Sequence, residues 1–300
     1  MRTNDALDWN RIVSNIPKTV WQNLQDINFN GTTGDNIMHP DIAEIVSWCS
    51  SHSPARINIH TNGSLRTGAW WAQFGSQLAN VPHKVVFGLD GLADTHSVYR
   101  INTDFDKIIT NAQAFIQAGG QAEWQFIVFE HNAHQIEQAQ QLSRKLGFSR
   151  FFVLYQDRFA ESADLPVRRY TKDLKQISAE IVVNPSSNSM PSRIAQSNQI
   201  VSCRSQRIGW FSIYADGTVW PCCWLMGWHR AQHQPQSKLI NYHFQKILGI
   251  DFDQISLYNN TLESIVNSDL WQHRLPDSFK RSPNPVCIQQ CSGIKHDSNT

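Results

Sequence analysis

No run in these 300 residues approaches the ~18 consecutive apolar positions that a membrane-spanning helix needs. Charge is scarce as well. Only 17% of residues are charged, and 26 Lys and Arg against 25 Asp and Glu leave a net charge of +1. Such a chain has no strong field to draw it onto nucleic acid or an anionic membrane. Residues 1–8 contain no apolar signal region, so the chain is expected in the cytoplasm. Cysteine is nearly missing from the first two thirds, where Cys49 stands alone. A chain of this size without an export signal does not need a secreted disulfide framework.

What is present argues for a folded protein. Hydrophobic residues make up 41% and aromatics 11%, which rules out a disordered chain. The length suits one large domain or two unequal ones. The chain has eleven Trp and six Cys, and five of the cysteines (Cys203, Cys222, Cys223, Cys287 and Cys291) crowd into the last hundred residues. In a reducing compartment, clustered thiolates hold metal. Four of them form the closed shell used by zinc or by an iron–sulfur cluster. Cys49 is different: Ile42, Ile45, Val46 and Cys49 share one helical face, so it is expected to be buried as a small hydrophobe.

Through residue 155 the pattern alternates between strand and helix. Strands are expected at Ile27–Phe29, Arg56–His60, Val85–Leu89, Trp124–Phe129 and Phe151–Leu154. Helices are expected at Asp8–Ile16, Pro40–Cys49, Gly68–Leu78, Phe105–Ala118 and His134–Leu146. Strands at roughly 30-residue spacing with helices between them read as βαβ units and a parallel sheet. Residues 156–200 lose the pattern, and Asn184 to Ser192 looks like a linker or long loop. The division is therefore placed at 1–195 and 196–300.

In a parallel α/β architecture, ligands gather at the carboxyl ends of the strands. Four segments fall there: Gly31 to Asn36, Thr61-Asn62-Gly63, Asp90-Gly91 and Glu130-His131-Asn132. Each is also an ordinary turn former. A dinucleotide fingerprint is absent, since Gly31-Thr32-Thr33-Gly34 does not supply G-x-G-x-x-G. In the second part, a strand over Ile208–Tyr214, a turn at Asp216-Gly217 and a return strand at Val219-Trp220 form an expected hairpin. Cys203 stands before it and Cys222 after it. Cys287 and Cys291 are four apart, as on one helical turn. Trp210, Trp220, Trp224 and Trp228 surround the hairpin and read as the core of a small domain, with shielding of a cluster as the alternative.

These features together resemble a radical S-adenosylmethionine (SAM) protein with a C-terminal SPASM- or twitch-type domain. Cys203-x13-Gly217-x4-Cys222 is similar to the first half of the SPASM pattern, and Cys287-x3-Cys291 to the end of a shortened one. Phe29 to Asp35 with His39-Pro40-Asp41 resembles the motif beside the methionine amino group of SAM. Thr61-Asn62-Gly63, Leu89-Asp90-Gly91 and Tyr99-Arg100 resemble the next two strand-end motifs. The resemblance implies an incomplete (β/α)6 TIM-like barrel with parallel strands. It implies a SAM region of Gly34, Asp35, Thr61, Asn62, Gly63, Asp90, Gly91 and Arg100. It also implies an auxiliary 4Fe–4S cluster on Cys203, Cys222, Cys287 and Cys291, with Cys223 a spare.

One departure matters. The family's catalytic cluster is held by C-x-x-x-C-x-x-C after the first barrel strand, and these residues contain no such motif. Two explanations stand side by side: a chain lacking that segment at its start, or a degenerate member without the catalytic iron. For a complete enzyme the resemblance implies SAM, a second 4Fe–4S cluster, a flavodoxin- or ferredoxin-type reductant and a peptide or small-molecule substrate. The chain as given is expected not to cleave SAM alone. The alternative is a non-catalytic iron–sulfur or zinc-binding partner protein.

Overall fold

Strands with apolar residues on one side and helices returning between them can only bury that side by lying parallel under the helices. The computed structural model, which describes residues 6–31, 34–155, 182–184, 201–230 and 248–291, has this arrangement. In chain order the elements begin with α1 (Trp9–Ser14), α2 (Lys18–Asn23), β1 (Asp26–Phe29), α3 (Ile42–His52) and β2 (Arg56–Thr61). They continue with α4 (Gly68–Leu78), β3 (His83–Gly88), α5 (His96–Tyr99), α6 (Phe105–Gln117) and β4 (Ala122–Val128). After α7 (Ile136–Leu146) come β5 (Arg150–Tyr155) and β6 (Val182–Asn184). The strands form one sheet in the order β1-β2-β3-β4-β5-β6, every pair parallel.

Among the described residues β1 and β6 do not pair, so the barrel is open, as the incomplete-barrel expectation required. β6 is an addition to that expectation. It falls in the stretch read as patternless, because three residues ending at Asn184 give no periodicity to detect. The remainder of the expected linker lies outside the described residues.

Local chemistry sets the helix boundaries. The Thr67 hydroxyl caps α4 by accepting from the Trp70 amide at 3.3 Å, and the Asp104 carboxylate caps α6 by accepting from the Lys107 amide at 3.1 Å. Gly147, at φ 87°, ends α7 in the left-handed conformation that glycine adopts without cost. Trp71 from α4 and Phe115 from α6 meet Phe87 of β3 on the helix-covered face, with Trp71 and Phe87 centroids 5.2 Å apart, and Phe74 of α4 packs on Trp71 and Phe115. All four rings are at most 1% exposed, and burying each is worth about 1.5–3 kcal/mol. Cys49 is fully buried on α3 beside Ile42, Ile45 and Val46, as its spacing predicted.

The chain divides into two units, Trp21–Ser189 and Met1–Val20 with Met190–Thr300. In the second unit α1 sits with the later elements. These are α8 (Arg204–Ile208), β7 (Ser212–Ile213), β8 (Val219–Trp220), α9 (Cys223–Arg230), α10 (Leu262–Val266), α11 (Leu275–Arg281) and α12 (Pro285–Cys291). The Tyr258 hydroxyl accepts from the Asp8 amide at 2.8 Å and donates to the Ala215 carbonyl at 3.1 Å. The Asn15 carbonyl accepts from the Leu262 amide at 2.8 Å.

The hairpin exists but is shorter than expected. Residues 204–208 are helical and stop at Gly209, whose φ of 69° ends the helix, which leaves only Ser212–Ile213 to pair with Val219–Trp220. The turn itself is as expected, with Gly217 at φ 78°. Trp220 is 1% exposed and belongs to the core, whereas Trp210 is 52% exposed and does not. The Trp228 side chain lies outside the described residues. Among the described residues, no helix is long and apolar enough to cross a membrane.

Candidate functional site

The loops that leave β1, β2 and β3 surround a cavity of about 390 Å³ at the carboxyl edge of the sheet. Its lining includes Gly34, Asp35, Thr61, Asn62 and Arg100 from the expected SAM region, along with Met38, His60, Gly88, Asn102, Thr103 and Gln125. Asp35 ties the first two loops together. One carboxylate oxygen accepts from the Ile37 amide at 2.9 Å, and the other accepts from the Thr61 hydroxyl at 2.9 Å and the Asn62 amide at 2.6 Å. The Asn36 side-chain amide donates to the carbonyls of Phe29 and His60, joining the same two strand ends. Gly31 admits no side chain: a Cβ there would lie 1.7 Å from the Gly34 carbonyl oxygen. The bend that shapes this rim of the cavity therefore depends on glycine.

The other three expected residues stand behind the cavity wall. Gly63 and Gly91 take left-handed φ values of 71° and 133° and shape the turns after β2 and β3. Asp90 is fully buried, and its carboxylate accepts from Arg100 Nε at 2.6 Å and from the Ile127 amide at 2.6 Å. Burial pushes the Asp90 carboxyl up, while the Arg100 guanidinium and the Ile127 amide pull against it. Burial works against the Arg100 charge, but Asp90, Tyr99 and Asp35 together outweigh it and hold the guanidinium protonated. Asp90 thus positions Arg100, and Arg100 faces the cavity. A Cβ on Gly88 would meet Arg100 Nη2 at 2.7 Å, so this glycine lets the guanidinium lie across β3.

The motif reading passed over His60, His96 and Gln125. The signal for His60 and Gln125 was available, because a polar residue out of phase with the core-facing apolar positions of its strand (Ile57 and Ile59, Trp124 and Phe126) faces away from the helices. His131, from the fourth strand-end segment, does not line the cavity. Its ring stacks on Phe129 at 5.5 Å with both nitrogens buried and unbonded.

In the second unit, Cys203 precedes α8, Cys222 follows β8, and Cys287 and Cys291 lie on α12. Burial pushes the Cys203, Cys222 and Cys287 thiols up, Cys222 to about 12. Their neighbours add to this: Cys291 acts on Cys203, Cys203 on Cys222, and Cys222, Cys203 and Cys291 on Cys287. Cys287 therefore lies within electrostatic reach of the other three, and Cys223 acts on Cys222 as well. No group of three or more His, Cys, Asp or Glu side chains among the described residues is drawn together as a metal-ion site. Cys223 is exposed at the start of α9.

No protein-family model matches the sequence, and no curated protein matches it either. Solved structures do. The structure of anSMEcpe with bound AdoMet and the Cp18Cys peptide superposes with a TM-score of 0.53 at 14% identity, covering 92% of this chain and 76% of that one. A histidine-tagged form of anSMEcpe with bound AdoMet gives 0.51 at 14% identity, covering 92% and 72%. The chain shares the fold of these anSMEcpe structures. Streptococcus suis SuiB bound to precursor peptide SuiA gives 0.47 at 14% identity, covering 86% of this chain and 54% of that one. The chain spans about half the length of the SuiB structures it matches.

Proposed function

We propose that this chain is a radical SAM-type protein whose sheet-edge cavity takes S-adenosylmethionine and whose four late cysteines hold an auxiliary 4Fe–4S cluster. The observation that carries the first half is the cavity lining. Loops expected from sequence to surround SAM converge on one space that offers a carboxylate, a guanidinium, hydroxyls and backbone amides together. Those groups match a ligand that carries both an ammonium and a carboxylate. Asp35, Thr61, Asn62 and Arg100 would hold it, with Gly34 giving close approach and Asp90, Gly63 and Gly91 keeping these groups in place. Bound SAM would supply the source of a 5′-deoxyadenosyl group; the residues named here bind, orient and shield it.

For the second half, the donor set is four thiols that influence one another electrostatically. Cys203 and Cys287 are buried, and Cys222 and Cys291 are partly so. Four thiolates suit a 4Fe–4S cluster, and the same set is the closed shell of a structural zinc, which is the alternative. No C-x-x-x-C-x-x-C occurs in these 300 residues, so the chain as given binds SAM without cleaving it by itself. A peptide substrate follows the anSMEcpe complex, which holds the Cp18Cys peptide.

Two measurements on anaerobically prepared protein test the reading. Equilibrium dialysis with radiolabelled SAM should show one saturable site, abolished by Asp35→Ala with Arg100→Ala; absence of saturable binding overturns the SAM half. Iron and sulfide analysis should show about four of each per chain with absorbance near ~400 nm. Colourless protein with one zinc per chain would instead make the thiols a structural zinc site.

A further inference from the structure

The cavity has a floor with a chemistry of its own. His60 on β2, Val86 and Gly88 on β3 and Gln125 on β4 all line it. Register places His60 beside Val86, and Gly88 beside Gln125, so strand alternation sends these four residues to the same face of the sheet. That face is opposite the one carrying Ile59, Phe87, Trp124 and Phe126 into the core. Val86 and Gly88 project little, which leaves the imidazole and the carboxamide as the polar groups on either side of an apolar strip.

Among the described residues, no hydrogen bond reaches the His60 ring or the Gln125 carboxamide, although nearly every other polar side chain around the cavity is bonded. Neither belongs to the buried side-chain polar atoms that lack a partner. Their donors and acceptors open onto cavity space. A ligand or water in the cavity is what remains for them to bond.

The character of the pair narrows the ligand. Burial, helped by the Lys84 ammonium, holds His60 below its usual range, so its ring carries one donor and one acceptor at neutral pH. The Gln125 carboxamide likewise carries both and has no charge. Neither side chain supplies a counter-charge, so a carboxylate or an ammonium seated between them would give up its hydration with no ionic partner at the floor. An uncharged amide presents a C=O and an N–H together.

We propose that His60 and Gln125 form a recognition floor for an uncharged amide of the substrate, a peptide unit or a carboxamide, beneath the charged groups Asp35 and Arg100. The assignment rests on the cavity being a ligand site, as proposed above, and adds the class of group read at its base. Recognition here is by hydrogen bonding, and neither residue is assigned a bond-breaking role.

The test uses the full chain, with its histidine side chains isotope-labelled and the His60 signals assigned by their loss in His60→Phe. N-methylpropionamide is titrated in, with methyl propionate and propionate as controls. The expected result is a saturable shift of the His60 ring nitrogens by the amide, at least fivefold weaker binding of the ester and no saturable response to propionate. Gln125→Leu should weaken the amide at least fivefold. If Gln125→Leu does not fold, Gln125→Asn should show the same direction of change. No saturable shift with the amide, equal response to propionate, or an unchanged affinity in a folded Gln125 variant overturns the floor. SAM dialysis on the same sample keeps the two proposals apart. An amide response without SAM binding retains the floor and sinks the SAM site, whereas SAM binding without an amide response does the reverse.

Discussion

The backbone amide of Asp90 donates to Nδ1 of His96 across 3.2 Å. The other ring nitrogen, Nε2, lies 3.0 Å from the Thr103 hydroxyl, whose own proton is directed at the Arg100 carbonyl at 2.6 Å. Only the neutral ring protonated on Nε2 satisfies all three bonds. Burial then lowers the pKa of this fully buried histidine to about 4. The loop that carries Arg100 to the cavity therefore depends on His96 staying uncharged.

Acid should loosen this loop first. The folded value of about 4 lies below the ordinary 6.5, so between those two values the unfolded chain binds more protons. The stabilisation is complete above pH 6.5 and is lost as pH falls toward 4, by up to ~3 kcal/mol. Urea denaturation at intervals from pH 7 to pH 4 should show that decline. His96→Gln, which cannot titrate, should flatten it, and equal slopes for the two proteins would remove His96 from the account.

Asp90→Asn tests the same loop by charge. The substitution sets an N–H against either the Arg100 Nε–H or the Ile127 amide, and leaves a mostly buried guanidinium without its counter-charge. Breaking a buried pair from one side costs roughly 3–5 kcal/mol. Adding Arg100→Met to Asp90→Asn should recover part of that loss, because the stranded charge goes with it. Chemical denaturation of the two single variants and the double variant gives the coupling directly.

How far the fold could be read from sequence follows from what periodicity can carry. The bounds of α4 were legible to the residue because Thr67 caps it and Trp71, Phe74 and Leu78 recur on one face. The strand ends, expected at His60 and Leu89 and found at Thr61 and Gly88, were legible to within one residue because turn formers follow buried apolar runs. Val182–Asn184 was not, since a three-residue strand has no period and takes its identity from pairing with β5. Asp90 was expected at the ligand. Its position in the chain is the same whether its carboxylate faces the cavity or a buried arginine, and only tertiary contact decides that. His60 and Gln125 carry no motif, and their importance comes from bonds they do not make.

Packing of α4 on α6 should be intolerant at one position. A Cβ added to Gly75 would lie 2.4 Å from the Phe115 carbonyl oxygen and 3.1 Å from the Ala118 side chain. The first of these is backbone and cannot swing aside. Gly75→Ala should therefore destabilise by about 1–3 kcal/mol despite the higher helix propensity of alanine. Gly68→Ala, where the nearest atom is 3.9 Å away, is the control and should be neutral or stabilising. Thermal unfolding of the two variants, compared at equal pH, separates the clash from propensity.

Cys222 and Cys223 are neighbours in sequence with opposite expected roles. The Cys222 thiol is pushed to about 12 mainly by burial and lies within electrostatic reach of Cys203 and Cys287. Cys223 begins α9 on an exposed face; it acts on the adjacent Cys222 thiol, but no charge effect links it to Cys203 or Cys287. If the four-thiol set holds a cluster, Cys222→Ala should cut iron per chain by more than half and bleach the absorbance near ~400 nm. Cys223→Ala should leave both unchanged. Equal loss from the two substitutions would mean that the cluster draws on α9 as well, and equal retention would remove Cys222 from the ligand set. Metal analysis of each variant after identical anaerobic reconstitution distinguishes these outcomes, because both substitutions remove one thiol and only Cys222 acts on Cys287.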